Sequence, residues 1–475
     1  MHKRMLTSLL LTAGLLVAMD APLAADVKLP NLFADHMVLQ RDMPIVVWGK
    51  ADPGEKVTVT LGKHTATTTA GKDGTWRVAL DKTSAGGPHT LTVAGANRVE
   101  FKDVLVGEVW VCSGQSNMNM PIDWGIFGAW GSPECTAAYF FGVELRRELG
   151  VPVGLVKSAV GGTIIESWTR REALIQAVPD MKPAIERWDK RIAAFDEAAF
   201  QEKVAAWQKA AAKAKAEGKR PPRQPVPITQ NNRIPASLYN GMIAPLVPFT
   251  MRGVIWYQGE SNARNAYLYR TLFPAMIRDW RAQWAQGNFP FLFVQLANYR
   301  PQSDQPGESQ WAELREAQLM ALGEPNTAMA VIIDIGDAKD IHPKNKQGVG
   351  KRLSLGALKL AYGCDIVHSG PIYKSMKIEG AKVRLSFAHT DGGLKAAGGG
   401  PLKGFAVAGE DKKFVWADAR IDGQTVVVTS GAVSKPVAAR YAWADNPACN
   451  LTNASGLPAS PFRTDDWPGL TAPKK

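Results

Sequence analysis

The sequence predicts an α/β protein, with a parallel sheet carrying helices on both faces and β regions before and after it. Two patterns and a length carry that expectation. From Val104 to about Tyr362, short β-branched or aromatic runs alternate with longer helical stretches, the alternation that buries a parallel sheet between helices. On either side it gives way to period-two segments separated by Gly, Pro and Asp turns. The chain has 475 residues, more than one hydrophobic core normally serves, so more than one domain is expected.

Residues 1–25 have the form of a secretory signal. His2-Lys3-Arg4 supplies positive charge, Leu6 to Met19 is mainly apolar, and Pro22-Leu23-Ala24-Ala25 offers small residues for cleavage. The run is too short for a typical membrane span, Asp20 ends it, and no later stretch is apolar for long enough. Export to a periplasm or beyond is the expectation; an uncleaved N-terminal anchor is the alternative.

Residues 26–103 predict a small β-sandwich. Lys56–Leu61 and Thr90–Val93 alternate apolar and polar residues, and Asp52-Pro53-Gly54, Lys72-Asp73-Gly74 and Gly86-Gly87-Pro88 mark turns. Within a central domain at 104–365, strands are predicted at 104–112, 153–159, 251–257, 290–296 and 329–334. Helices are predicted at 136–149, 266–285, 310–322 and 346–362. A helical insertion, about 171–235, interrupts this order, and its helices end at the proline-rich 221–227. Residues 366–475 predict a second β region and a tail, with strands around Lys382–Phe387 and Thr425–Thr429.

The content is 45% hydrophobic and 21% charged, as in ordinary soluble proteins. The net charge of +12 raises the question of a nucleic-acid partner. Part of the excess sits in the Ala-rich stretch Lys182–Arg223, without the compact basic and aromatic motif of nucleic-acid modules, so it reads as a solvated helical face. Cys112, Cys135, Cys364 and Cys449 match no zinc spacing, and no cofactor or metal is implied. Export would permit disulfides; the pair favoured is Cys364 with Cys449, while Cys112 reads as a small apolar filler in a buried strand.

Three strand ends carry the chemistry. The run Val104–Val111 leads into Cys112-Ser113-Gly114-Gln115-Ser116-Asn117-Met118. Gly253–Tyr257 leads into Gln258-Gly259-Glu260-Ser261-Asn262. Val331-Ile332-Ile333-Asp334 leads to Asp337 and then to Asp340-Ile341-His342-Pro343. A serine at the mouth of a sheet can be a nucleophile, although Ser116 or Asn117 could equally serve as a helix cap. Together the three ends supply a nucleophile, amide donors, a base and an acid to orient it, which are the parts acyl transfer requires.

These blocks, with Gly161-Gly162-Thr163, Glu166-Ser167-Trp168, Trp311 to Gln318, Arg440-Tyr441-Ala442-Trp443 and Pro461 to Pro468, resemble the sialate O-acetylesterase family. The resemblance spans nearly the whole chain after the leader. It implies a serine esterase with an SGNH-hydrolase-like, flavodoxin-like sheet, related to carbohydrate acetylesterases that include acetylxylan esterases. The implied substrate is an O-acetylated sugar, sialate first and acetylated xylan or another glycan second. One departure stands out: between Met120 and Ala138 the chain is shorter than the family pattern, where a sheet strand usually runs. Trp124, Phe127 and Trp130 are expected to cover the exposed flank. If the loss disables the site, a noncatalytic carbohydrate-binding protein is the reading from another class.

Roles follow from residue chemistry. Ser116 is the expected nucleophile. Of seven histidines only His342 follows a strand of the central sheet, which makes it the expected base. Asp340 is the expected orienting acid. Many SGNH enzymes carry that acid three positions before the histidine, which here is Lys339, so Asp337 and Asp334 remain alternatives. The expected oxyanion donors are the backbone N–H groups of Ser116 and Gly162 and the side chain of Gln258, preferred over Asn262. Glu260 cannot donate when ionised. Trp168 and Trp311 are expected to grip the sugar and Arg315 its carboxylate.

Overall fold

The computed structural model describes residues 26–121 and 136–473. The signal-like residues 1–25, Cys135 and the flank cover expected from Trp124, Phe127 and Trp130 lie outside the described residues.

The central sheet has five strands: β1 (Arg98–Gly114), β2 (Val153–Ala159), β3 (Gly253–Tyr257), β4 (Phe291–Gln295) and β5 (Thr327–Val331). β1 pairs in parallel with both β2 and β3, β3 with β4, and β4 with β5. The spatial order is therefore 2-1-3-4-5. In such a sheet the order reverses at β1, and the carboxyl ends of β1 and β3 border a crevice where ligands bind. Every residue of β3 and β4 is buried, as a strand covered on both faces requires.

The covering helices are α1 (Thr136–Leu149), α2 (Ala266–Trp284), α3 (Gln310–Met320) and α4 (Lys346–Tyr362). Phe273 of α2 packs against Phe291 and Phe293, with ring centroids 6.1 and 5.0 Å apart. Gly356 of α4 instead abuts Leu292 and Ala328; a Cβ there would lie 2.9 Å from that of Ala328. Alternate residues of a strand point to opposite faces, so α2 and α4 cover opposite sides of the sheet. α1 lies beside the strand that leads to Ser116, through Phe141 against Trp110 at 5.1 Å.

The domain boundary expected at 103/104 falls inside β1, which runs unbroken for 17 residues. Its first half pairs antiparallel with Gly86–Ala94 of the N-terminal β region, and its second half enters the parallel sheet. One apolar core runs through both regions. At the change of partners Glu108 is fully buried, held by Arg41 Nε at 2.5 Å, Arg252 Nε at 2.8 Å and Gln40 Nε2 at 3.0 Å. The N-terminal strands show why the period-two pattern was legible: along Thr75–Leu80, exposed and buried residues alternate one by one.

The C-terminal region holds two four-stranded sheets around a core of its own, including Val383, Leu385, Val426, Val428, Tyr441 and Phe462. The disulfide favoured between Cys364 and Cys449 is not formed; both thiols are free. Cys449 sits instead against Tyr441 and Arg315, where burial pushes its thiol pKa up to about 11. In the insertion, helix Glu197–Ala216 has no buried residue, as a solvated face would. Among the described residues, no helix is long and apolar enough to cross a membrane.

Candidate active site

Ser116 is placed by the crowding of two strand ends. β1 finishes at Gly114 with φ +133°, and a side chain there would collide with the Tyr257 carbonyl at the end of β3. Gln115 N–H donates to that same carbonyl at 2.9 Å, and Ser116 opens the short helix Ser116–Asn119. The hydroxyl thus stands where the sheet order reverses.

The loop between β5 and α4 brings His342 to it. His342 Nε2 lies 3.0 Å from Ser116 Oγ, and His342 Nδ1 lies 3.1 Å from Asp340 Oδ1. The same Asp340 oxygen accepts the backbone N–H of His342 at 2.9 Å. With Nδ1–H donating to Asp340, Nε2 is left to accept from the serine hydroxyl. Burial lowers the His342 pKa below its ordinary value; the hydrogen bond and charge of Asp340 oppose the shift without cancelling it. The alternative acids are committed elsewhere. Asp334 makes a two-pronged pair with Arg352 at 2.5 and 2.7 Å, and Asp337 accepts from Lys339 N–H at 2.8 Å.

Sequence reasoning saw no more than a helix cap in Asn117, yet this residue ties the site together. Its Nδ2 donates to Glu260 Oε1 at 2.6 Å and to the Ile341 carbonyl at 3.2 Å, and its Oδ1 accepts from Lys346 Nζ at 2.5 Å. The turn after β3, the histidine loop and the start of α4 therefore meet on the residue after the serine. Burial raises the Glu260 pKa, against the pull of Asn117 and Lys346. The sequence signal was present in Lys346, a lysine at the buried start of a helix, but its burial is a tertiary fact.

The Gly161–Gly162 turn lies against the serine: a Cβ on Gly161 would sit 3.4 Å from that of Ser116. Gly162 has φ +71°. Among the described residues, neither the Ser116 nor the Gly162 backbone N–H has an acceptor. Gln258 differs from expectation. Both hydrogens of its amide are engaged inside the protein, by the Thr163 carbonyl at 3.1 Å and Asn262 Oδ1 at 2.7 Å. Asn262 accepts from Ile165 N–H at 2.9 Å, which fixes its orientation, and donates to Glu166 at 2.9 Å, leaving one N–H without an acceptor among the described residues.

Two expected sugar contacts are corrected by burial. Trp168 is completely buried, edge-on to Trp256, with its indole N–H on Thr163 Oγ1 at 3.0 Å. Arg315 is completely buried too. Its guanidinium donates to the carbonyls of Leu296, Ala297, Ala444 and Asp445 at 2.7–2.8 Å, so it clamps loops and offers nothing to a carboxylate. Trp311 keeps its indole N–H on the Ala297 carbonyl at 2.9 Å and lines a pocket of about 230 Å³ beside the histidine loop. Size alone does not pick out the chemistry. A cavity of about 850 Å³, lined by Trp48, Trp76 and Trp284 at the junction with the N-terminal β region, contains none of these residues.

Residues 228–357 match the family model described as carbohydrate esterase, sialic acid-specific acetylesterase. Over 90% of the chain, and 92% of the relative, the sequence is 32% identical to the sialate O-acetylesterase of Mus musculus. The chain belongs to the sialate O-acetylesterase family. The Homo sapiens sialate O-acetylesterase is 29% identical over 92% of the chain and 92% of its own length. A carbohydrate acetylesterase from Xanthomonas citri has the same fold, with a TM-score of 0.78 and 37% identity over 93% of this chain and 100% of that one. Membership in the sialate O-acetylesterase family makes the chain a carboxylic ester hydrolase.

Proposed function

We propose that this chain is an exported serine esterase of SGNH-hydrolase type that removes O-acetyl groups from sialic acid through a Ser116–His342–Asp340 triad. The observation that carries the reading is the continuous line from Asp340 Oδ1 through the His342 ring to Ser116 Oγ, with spacings of 3.1 and 3.0 Å. That line favours an enzyme over a noncatalytic sugar binder. Sialate as the sugar is supported by the matched family description and the mammalian relatives. Export rests on the signal-like character of residues 1–25.

In this mechanism Ser116 Oγ attacks the acetyl carbonyl while His342 Nε2 takes its proton. Asp340 holds the ring and stabilises the imidazolium that forms. Charge on the tetrahedral oxygen is met by the N–H groups of Ser116 and Gly162, and by Asn262 in place of Gln258, since Asn262 has the hydrogen that lacks an acceptor among the described residues. His342 then gives its proton to the departing sugar oxygen. Water, deprotonated by the same imidazole, releases acetate from the acetyl-serine.

The Xanthomonas citri neighbour is named for carbohydrate rather than sialate, which favours a second reading in which a neutral acetylated glycan is the substrate. Acetate release by purified wild type from O-acetylated sialic acid and from acetylated xylan separates the two. Faster release from the sialic acid supports the proposal. Release from xylan alone moves the substrate, and release from neither, in a protein inert toward 4-nitrophenyl acetate as well, overturns the esterase mechanism.

A further inference from the structure

The 230 Å³ pocket beside the histidine loop has a charge pattern that no role above uses. It shares a wall with the proposed triad. Ile341, between Asp340 and His342, lines it, and the Ile341 carbonyl is bonded to the side chain of Asn117, next to Ser116. Its volume is below the roughly 300–1,000 Å³ of whole small-molecule sites, so it suits one end of a sugar rather than a glycan chain.

The charged groups facing it are Glu260, Arg264, Arg300 and Asp445. Asp445 is neutralised by Arg300, Nη1 to Oδ2 at 2.9 Å, and its other oxygen accepts from Ser309 Oγ at 2.5 Å. Arg300 also lies over the Tyr299 ring, 5.8 Å from its centroid. Of the Glu260 carboxyl oxygens, Oε1 accepts from Asn117 and Oε2 is buried without a hydrogen-bond partner among the described residues; burial raises the pKa of this group, which weakens it as a like charge against an anion. Arg264 is different. It stands exposed at the end of the short helix Glu260–Asn265, and among the described residues no acid lies within ion-pair distance of it. Among the described residues the pocket therefore presents one guanidinium without an ion-pair partner, next to the tilted rings of Tyr299 and Trp311, whose centroids are 5.6 Å apart, and to Gln310.

We propose that this pocket is the carboxylate subsite of the substrate and that Arg264 is its specificity-determining residue, gripping the acid group of a sugar whose acetyl ester lies at Ser116. A guanidinium matches a carboxylate with two parallel N–H donors, and the pair is fixed in direction as well as charge. Tyr299 and Trp311 offer apolar surface to the ring carbons of the sugar. Arg315, expected from sequence to hold the carboxylate, acts one step away: it clamps the backbone carbonyls of Ala297 and Asp445, and Tyr299 N–H donates to that same Asp445 carbonyl at 3.1 Å. The subsite rests on the sialate reading, because a neutral glycan has no carboxylate for Arg264 to take.

The test measures kcat/KM for an O-acetylated sialic acid and for its methyl ester, which has the same acetyl group but no charge. In wild type the free acid is preferred. In Arg264→Gln that preference falls about 10- to 100-fold, the worth of a charge-assisted hydrogen-bonded pair, mainly through KM for the acid. Arg264→Lys keeps part of it. A ratio of the two substrates is insensitive to how much of a variant is folded. An unchanged ratio in Arg264→Gln, with the acid still hydrolysed, overturns the subsite and leaves the sialate reading standing. If wild type hydrolyses 4-nitrophenyl acetate and neutral acetylated sugars but not O-acetylated sialic acid, the sialate reading fails and the subsite with it.

Discussion

Asp340 holds His342 twice with one oxygen: Oδ1 lies 3.1 Å from ring Nδ1 and accepts the histidine's own backbone N–H at 2.9 Å. Two residues of separation suffice because the loop folds the carboxylate back over the peptide that follows it. The second bond fixes the acid before the ring is considered, so orientation of the imidazole is built into the backbone of the loop. The side chain of Asp340 is 37% exposed, which leaves it in reach of water and softens its electrostatic effect.

Asp340→Asn is therefore expected to lower kcat by about 10²- to 10⁴-fold, short of complete loss, because an amide can still meet Nδ1 but cannot stabilise the imidazolium. Asp337→Asn and Asp334→Asn should stay within a few-fold of wild type, since neither acid touches the ring. Steady-state kinetics on the three variants decides the matter; the largest loss at Asp337 or Asp334 would move the orienting role.

The acid limb of the pH–rate profile is expected below the ordinary histidine value of 6.5, because burial lowers the His342 pKa. The base must be neutral to act, so activity is present above the lowered pKa and falls as pH drops through it. Asp340 opposes the lowering, so in Asp340→Asn the limb should move further down while the plateau also drops. A limb that moved up in that variant would mean another group sets it.

Asn262→Ala is expected to cost about 10²- to 10³-fold in kcat with little change in KM, as loss of one oxyanion donor does. A rise in KM at unchanged kcat would remove Asn262 from the oxyanion site.

Glu108→Gln tests what joins the N-terminal β region to the sheet. It leaves two guanidinium groups facing a neutral amide, at a cost of about 3 kcal/mol, the low end for a broken buried pair because Arg41 and Arg252 remain 23% and 20% exposed. Burial opposes ionisation of Glu108, but the hydrogen bonds from Arg252, Gln40 and Arg41 outweigh it and lower its pKa in the folded state. The stabilisation is present above the unfolded carboxyl value of 4.5 and is lost as pH falls through the lower folded value. The variant's deficit in chemical denaturation should shrink over that acid window; a deficit constant with pH would assign it to packing.

The strands and helices were legible because their spacing is a local property. α1 and α4, expected at 136–149 and 346–362, occur as Thr136–Leu149 and Lys346–Tyr362, and β1 and β3 end at Gly114 and Tyr257, at the polar turns that marked them. Ser116, His342 and Asp340 stood out because a sheet collects the loops at its carboxyl edge. What the sequence could not convey was the direction of side-chain hydrogen bonds and depth. Gln258 has the right chemistry for an oxyanion donor but spends both hydrogens inward, and Trp168 and Arg315 have the right chemistry for a sugar but lie in the core. The continuity of β1 through the boundary expected at 103/104 was invisible for a related reason: the strand changes partners between Val106 and Glu108 without ending, and only pairing reveals the switch.

The most direct test of the account is to quench the purified protein during turnover of an acetyl ester and locate the acetyl group by peptide mass spectrometry. The account predicts one acetyl on the peptide containing Ser116, absent in Ser116→Ala, with the activity of that variant reduced by about 10⁶-fold. Turnover that survives Ser116→Ala, or an acetyl group trapped on another residue in its place, would contradict it.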